Sequence, residues 1–148
     1  MLYTRLTRKA MQIAYNAHDG QFDKMGVPYV YHPIHLAEQM GDDEYAICVA
    51  LLHDTIEDTS VTISDLMKEF PTEIVEAVKL LTRSDNMLYD DYITAISKSN
   101  NNLAIKVKLA DIEHNSSPGR LQEELLGHEA AERLREKYDR AKKILRKG

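Results

Sequence analysis

Apolar residues recur at intervals of three and four along almost the whole chain. Leu6, Ala10, Ile13, Ala14 and Ala17 form the first such stripe and predict a helix over 4–18. Gly20 and Gly26 break the pattern, and the stretch DGQFDKMGVPYVYHP, with two glycines and two prolines, predicts the longest loop. That loop delivers His32 to the start of a helix expected from Pro33. Helical spacing returns over 33–40 and 43–56, then over 64–70 with Ser64 as N-cap, and again over 72–82, 88–98, 101–114 and 128–146. Alternation of period two is nearly absent. The pattern therefore predicts one all-α domain covering 1–148, a bundle of about seven or eight helices.

The last predicted helix is densely charged and carries Ala131, Leu134, Tyr138, Ala141 and Leu145 along one stripe, as a packed surface helix does. Composition agrees with a folded domain. Of 148 residues, 43% are hydrophobic and 29% charged, and a chain of this size buries about two thirds of the surface it exposes when unfolded. The net charge of -5 argues against non-specific attraction to DNA, RNA or an anionic membrane. Cys48 is the single cysteine, so an intramolecular disulfide is excluded and a small buried hydrophobe is expected. No apolar run approaches the ~18 residues of a membrane span, and MLYTRLTRKAMQ lacks the apolar centre of a signal peptide. A cytoplasmic protein is expected, with oligomeric state left open.

One stretch departs from this apolar logic. ALLHDTIEDT sets His53, Asp54, Glu57 and Asp58 directly after Ala50, Leu51 and Leu52. On a continuous helix His53 and Glu57 lie one turn apart, and Asp54 and Asp58 repeat the offset beside them. Three carboxylates this close raise one another's pKa unless a cation neutralises them, which points to a divalent metal. Two further stretches offer donors in apolar context: YVYHPIHLA supplies His32 and IKVKLADIEHN supplies Asp111. His32, His53, Asp54 and Asp111 make a mixed nitrogen and oxygen set, suited to Mn²⁺, Fe²⁺ or Zn²⁺ rather than Ca²⁺, with positions left open for water and substrate. Glu57 and Asp58 remain free to orient or deprotonate the attacking water. His35 is expected to face outward or bond a backbone carbonyl, His18 to end the first helix, and His114 shows no evident partner.

Together these motifs resemble the HD-domain metal-dependent phosphohydrolases. Within them the chain is similar to the hydrolase domain of the RelA/SpoT alarmone enzymes and their small stand-alone relatives. The likeness runs from about residue 10 to 115, through AHDGQFDKMGVPYVYHPIHLAEQM, ALLHDTIEDTSVTISDLMKEF and AIKVKLADIEHN. The resemblance implies a helical fold that holds one Mn²⁺ through His32, His53, Asp54 and Asp111, with Glu57 and Asp58 as the catalytic pair that activates water. It also implies a nucleotide contact at Asn115 and a basic contact with phosphate or base at Lys24. The reaction implied is removal of the 3′-pyrophosphate of guanosine tetra- or pentaphosphate, ((p)ppGpp), to give GDP or GTP. The length leaves no room for the synthetase domain of the long enzymes, so a hydrolase-only protein is expected.

Several positions depart from the pattern of those relatives. Asp23 stands where the first of a basic pair is common, Ile112 and Glu113 replace Arg-Leu, and Ser116, Ser117 and Pro118 replace Met-Arg-Thr. All are expected at the nucleotide-facing rim, where fewer cations weaken the grip on a polyphosphate. Two other readings therefore accompany the first: an HD phosphohydrolase for another nucleotide or phosphorylated small molecule, and a non-catalytic, metal-dependent nucleotide-binding regulatory domain.

Overall fold

Thr4 turns the extended amino terminus into a helix. Its hydroxyl accepts from the Thr7 N–H at 3.2 Å while the Thr7 hydroxyl accepts from the Thr4 N–H at 2.8 Å, a reciprocal cap. In the computed structural model, which describes residues 1–121 and 126–147, helix α1 (Arg5–Ala17) follows. It is succeeded by α2 (Tyr31–Glu38), α3 (Glu44–Leu52), α4 (Thr55–Asp58), α5 (Ile63–Met67), α6 (Thr72–Leu80), α7 (Tyr89–Lys98), α8 (Asn102–Asn115), α9 (Pro118–Leu121) and α10 (His128–Lys147). The described residues contain no named strand, only an isolated bridge between Phe22 and Pro28. The all-α expectation holds.

α3 is the axis of the bundle. Every residue from Ala46 to Leu52 is buried, so the helix is apolar all round and packs against α1, α2, α6 and α8. The predicted stripes turn inward: Ala10 and Ala14 from α1 and Ala141 and Leu145 from α10 join this core, Tyr138 packs against it, and Ala131 is buried outside it. Cys48 lies free and fully buried within α3. Burial, with Glu44 adding to it, pushes its thiol up to about 12. No described helix is long and apolar enough to cross a membrane.

The helix expected over 43–56 is broken. α3 stops at Leu52, His53 and Asp54 form a turn, and α4 restarts at Thr55. Side chains cause the stop: His53 Nδ1 donates to the Ala50 carbonyl at 2.7 Å and the Thr55 hydroxyl to the Leu52 carbonyl at 2.8 Å. Each carbonyl is one that a continuing helix would offer to the backbone four residues on. His53 and Asp54 thus sit in a break rather than on a helix face. Three smaller differences appear. The N-cap of α5 is Thr62, boxed with Asp65, rather than Ser64. α2 begins at Tyr31, which places His32 inside its first turn, where Pro33 lacks only an N–H that has no helical partner anyway. The short α9 was not signalled by periodicity, being a single turn.

Candidate metal centre

Three separated regions converge on one buried point. His32 comes from the first turn of α2, His53 and Asp54 from the α3–α4 break, and Asp111 from the last turns of α8. His32 Nε2 lies 2.8 Å from Asp111 Oδ1; His53 Nε2 lies 2.9 Å from Asp54 Oδ2 and 3.6 Å from Asp111 Oδ1. One ligand atom from each of His32, His53 and Asp54 falls within 4.8 Å of the others. The two imidazoles, 5.4 Å apart by ring centroid, meet edge to face.

The donor set fits a divalent cation. His53 Nδ1 faces a backbone carbonyl, which only accepts, so Nδ1 carries the proton. Its Nε2 is then a lone pair in the neutral ring, yet it is buried, without a hydrogen bond of proper geometry, and faces two carboxylates. A lone pair among anions is stable only if a positive charge stands between them, either a metal ion or a second proton on the ring. The latter is why, with protein groups alone, the ring's proton affinity rises well above normal: burial lowers it, but Asp54 and Asp111 outweigh burial. Asp54 responds in kind; burial would raise its carboxyl, and His53 holds it down at about 2. His32 is instead lowered, chiefly by burial, and stays neutral.

Each of these groups is steered by a neighbour that sequence periodicity did not mark. His32 Nδ1 meets His114 Nδ1 at 2.7 Å, the rings stacked 5.0 Å apart, and His35 stacks on the far partner at 4.0 Å. His35 faces outward as expected, though it stacks on His114; His114, for which no partner was evident, has two. The Tyr29 hydroxyl donates to Asp54, and burial followed by the Asp54 charge raises its pKa. Lys108 Nζ lies 2.8 Å from Asp111 Oδ2; with burial opposing, the Lys108 charge is the main influence that pulls the Asp111 carboxyl well below its usual range. Helical offset gave a signal for two of them, since Lys108 and His114 lie three residues either side of Asp111. Tyr29 reaches the site from the loop, with no periodicity to reveal it.

Glu57 and Asp58 flank this centre at the more exposed end of α4, and their carboxylates come within 4.8 Å of each other and of Asp54. Glu57 accepts from the Arg83 N–H, and Gln21 Nε2 donates to the Asp58 carbonyl at 2.8 Å, tying the loop to the acidic turn. Both carboxyls are raised, by desolvation first; Asp54 adds to both and Asp58 to Glu57.

The rim differs from expectation. An open cleft of about 590 Å³ runs beside His32 and His114 and is lined by Asp23, Tyr31, Ser117 and Arg120. Lys24 does not line it and stands exposed. Asn115 is inside the network: its Nδ2 donates to Asp111 Oδ1 at 3.0 Å, and its Oδ1 accepts from Arg120 at 3.0 Å. Arg120, which the sequence reading overlooked, also reaches Asp23 Oδ2 at 3.4 Å, so a cation and its carboxylate partner share the rim. Ile112 is a correction, because it is buried in the core and not at the rim. Glu113 stands exposed, 2.9 Å from Lys142, and lines a neighbouring pocket with His35, His114 and Ser117.

Comparison with known proteins gives the chain its relatives. The family model described as HD domain matches residues 10–107. Guanosine-3′,5′-bis(diphosphate) 3′-pyrophosphohydrolase of Haemophilus influenzae is 35% identical over 115 residues, covering 70% of this chain and 17% of its own length. The bifunctional (p)ppGpp synthase/hydrolase SpoT of Escherichia coli is 32% identical over 120 residues, covering 73% and 17%. The chain thus spans about a sixth of the length of these curated relatives. A solved structure of a metazoan ortholog of SpoT, described as hydrolyzing ppGpp, superposes with a TM-score of 0.81 at 22% identity, covering 99% of this chain and 88% of that one. With its helical bundle, its His-Asp pair in a helix break and a family match along residues 10–107, this chain belongs to the HD domain family.

Proposed function

We propose that the protein is a divalent-metal-dependent phosphohydrolase that removes the 3′-pyrophosphate of guanosine tetra- or pentaphosphate, acting in the cytoplasm. The observation that carries this reading is the His53 Nε2 lone pair, buried between Asp54 and Asp111 with His32 alongside and two proton-accepting carboxylates at the mouth. His32, His53, Asp54 and Asp111 hold the ion, for which Mn²⁺ is the expected occupant. When bound, such an ion acts as a Lewis acid toward a phosphoryl oxygen and makes water more acidic.

The chain's own residues supply the rest. Glu57 and Asp58 accept the proton of the attacking water, helped by carboxyls whose raised proton affinity brings them nearer to neutrality than an exposed carboxylate. The Arg83 N–H donates to one Glu57 oxygen and so limits the positions this exposed carboxylate takes beside Asp54 and Asp58. Water adds to phosphorus, the bond from phosphorus to the ribose 3′-oxygen breaks, and that oxygen is protonated; GDP or GTP and pyrophosphate leave. Arg120 lines the cleft for the nucleoside and is held by Asn115, which reaches the nucleotide from behind it, while Lys24 is left as an exposed basic group for the phosphates or base.

The test is product analysis. Metal-loaded protein incubated with guanosine 3′,5′-bisdiphosphate is expected to give GDP and pyrophosphate in equal amounts. Glu57→Gln and Asp58→Asn each lower kcat by about 10²-fold or more, with metal content unchanged. Absence of turnover with bound metal present overturns the assignment. The pairing of Arg120 with Asp23 supports a second reading, hydrolysis of another nucleotide or phosphorylated small molecule, because it leaves the rim less cationic than a tetraphosphate calls for. A nucleotide panel assayed for released phosphate and pyrophosphate separates the two.

A further inference from the structure

Besides Arg120, a second group of cations gathers around one ring. Tyr89 opens α7, and three positive groups stand against it: Lys137 Nζ of α10 at 4.1 Å from the ring centroid, Arg83 Cζ at 5.7 Å and Lys108 Nζ at 5.9 Å. Lys108 is matched, since it bonds Asp111. Arg120 is matched by Asp23. Arg83 and Lys137 have no carboxylate within ion-pair distance among the described residues, and the nearby Asp90 is engaged by Arg140 at 3.6 Å. The crowding is felt. Desolvation, then Arg83 and Lys108, lower the proton affinity of Lys137. The Tyr89 hydroxyl, buried, has no hydrogen-bond partner either.

This cluster adjoins the reacting groups. The backbone of Arg83 bonds Glu57, and Lys108 bridges from Asp111 to the Tyr89 and Tyr92 rings. Unmatched cations held together by aromatic packing repel one another, and an anion placed among them removes that penalty while gaining charge-assisted hydrogen bonds. We propose that Arg83 and Lys137, with Tyr89 between α6 and α10, form an anion subsite that takes a phosphoryl group of the substrate other than the one attacked. The subsite rests on the phosphohydrolase reading, with Glu57 and Asp111 as its links to the reacting centre. It makes a singly phosphorylated ester a poor substrate and a compound with two separated or linked phosphoryl groups a good one.

Isothermal titration of the metal-loaded protein with inorganic pyrophosphate tests it. Arg83→Gln and Lys137→Gln are each expected to weaken binding about tenfold, and the double variant further. Arg83→Lys and Lys137→Arg, which keep the charge, are expected to restore affinity to within about threefold of the parent, an outcome that a purely structural ring contact does not require. Pyrophosphate affinity unchanged in the double variant overturns the subsite, as does an equal loss in the charge-conserving variants. A second arm compares guanosine 3′,5′-bisdiphosphate with bis-p-nitrophenyl phosphate, which has one phosphorus. Loss of kcat/KM greater for the former supports the subsite, and equal loss for both overturns it. If no nucleotide is turned over at all, the hydrolase reading fails while the pyrophosphate titration still decides the subsite.

Discussion

His114 shows how much a single side chain settles. A ring that presents Nε2 to a metal must carry its proton on Nδ1, and His32 has one partner there, His114 Nδ1 at 2.7 Å. His114 must then accept, which requires it to be neutral. Burial first, then His32 and His35, lower its pKa to about 4, so it meets that requirement at ordinary pH. His114→Ala is expected to weaken metal binding by about 10- to 100-fold, read by competition with a chromophoric chelator, while the helical circular dichroism stays as in the parent. The acidic pair gives a second residue-scale expectation. Glu57 and Asp58 act deprotonated, and their folded proton affinities are raised by desolvation and by Asp54. Activity should therefore rise with pH through an apparent pKa above that of an exposed carboxylate. A kcat profile whose acid limb lies at or below the ordinary value contradicts the assignment.

At the scale of elements, the decisive feature is the interruption between α3 and α4. A continuous helix would carry His53 and Asp54 around its axis 100° apart, and only one of them could point at His32 and Asp111. The break turns both inward, and it exists because His53 and Thr55 take the carbonyls of Ala50 and Leu52. Thr55→Val keeps the shape and leaves the buried Leu52 carbonyl without that donor. It is expected to cost about 1–3 kcal/mol in urea unfolding and to lower metal affinity as well, because α4 loses its anchor. A variant as stable as the parent would show that the stop is set elsewhere. The α6–α7 connection and α10 have a parallel role, bringing Arg83 and Lys137 to Tyr89 from positions 54 residues apart in sequence.

For the molecule as a whole, the centre is where the bundle stores its unfavourable electrostatics. Asp54 and Asp111 are placed beside α3, the most apolar helix, and their charges are tolerated only with His53, Lys108 and a bound cation in place. An ion present at about 100 times its Kd adds about 2.7 kcal/mol of stability. Removing it with a chelator should lower the Tm by roughly 5–10 °C for a domain of this size, and re-addition of Mn²⁺ should restore it. A Tm insensitive to chelation would mean the donors do not hold metal in the folded protein. The sequence by itself determined the all-helical class, the stripes that face the core, and the choice of His32, His53, Asp54 and Asp111 as candidate donors in apolar context, because burial at a period of 3.6 and buried polar groups are both written in residue order. It did not determine where a helix would stop, since the competition at Ala50 and Leu52 is between side chain and backbone for the same carbonyl. Only the tertiary structure decided that His114 supports His32, that Tyr29 and Arg120 join the site, that Ile112 turns to the core, and that Arg83 and Lys137 meet at one ring. Those are contacts between distant segments, fixed by how the helices pack, and no local period records them.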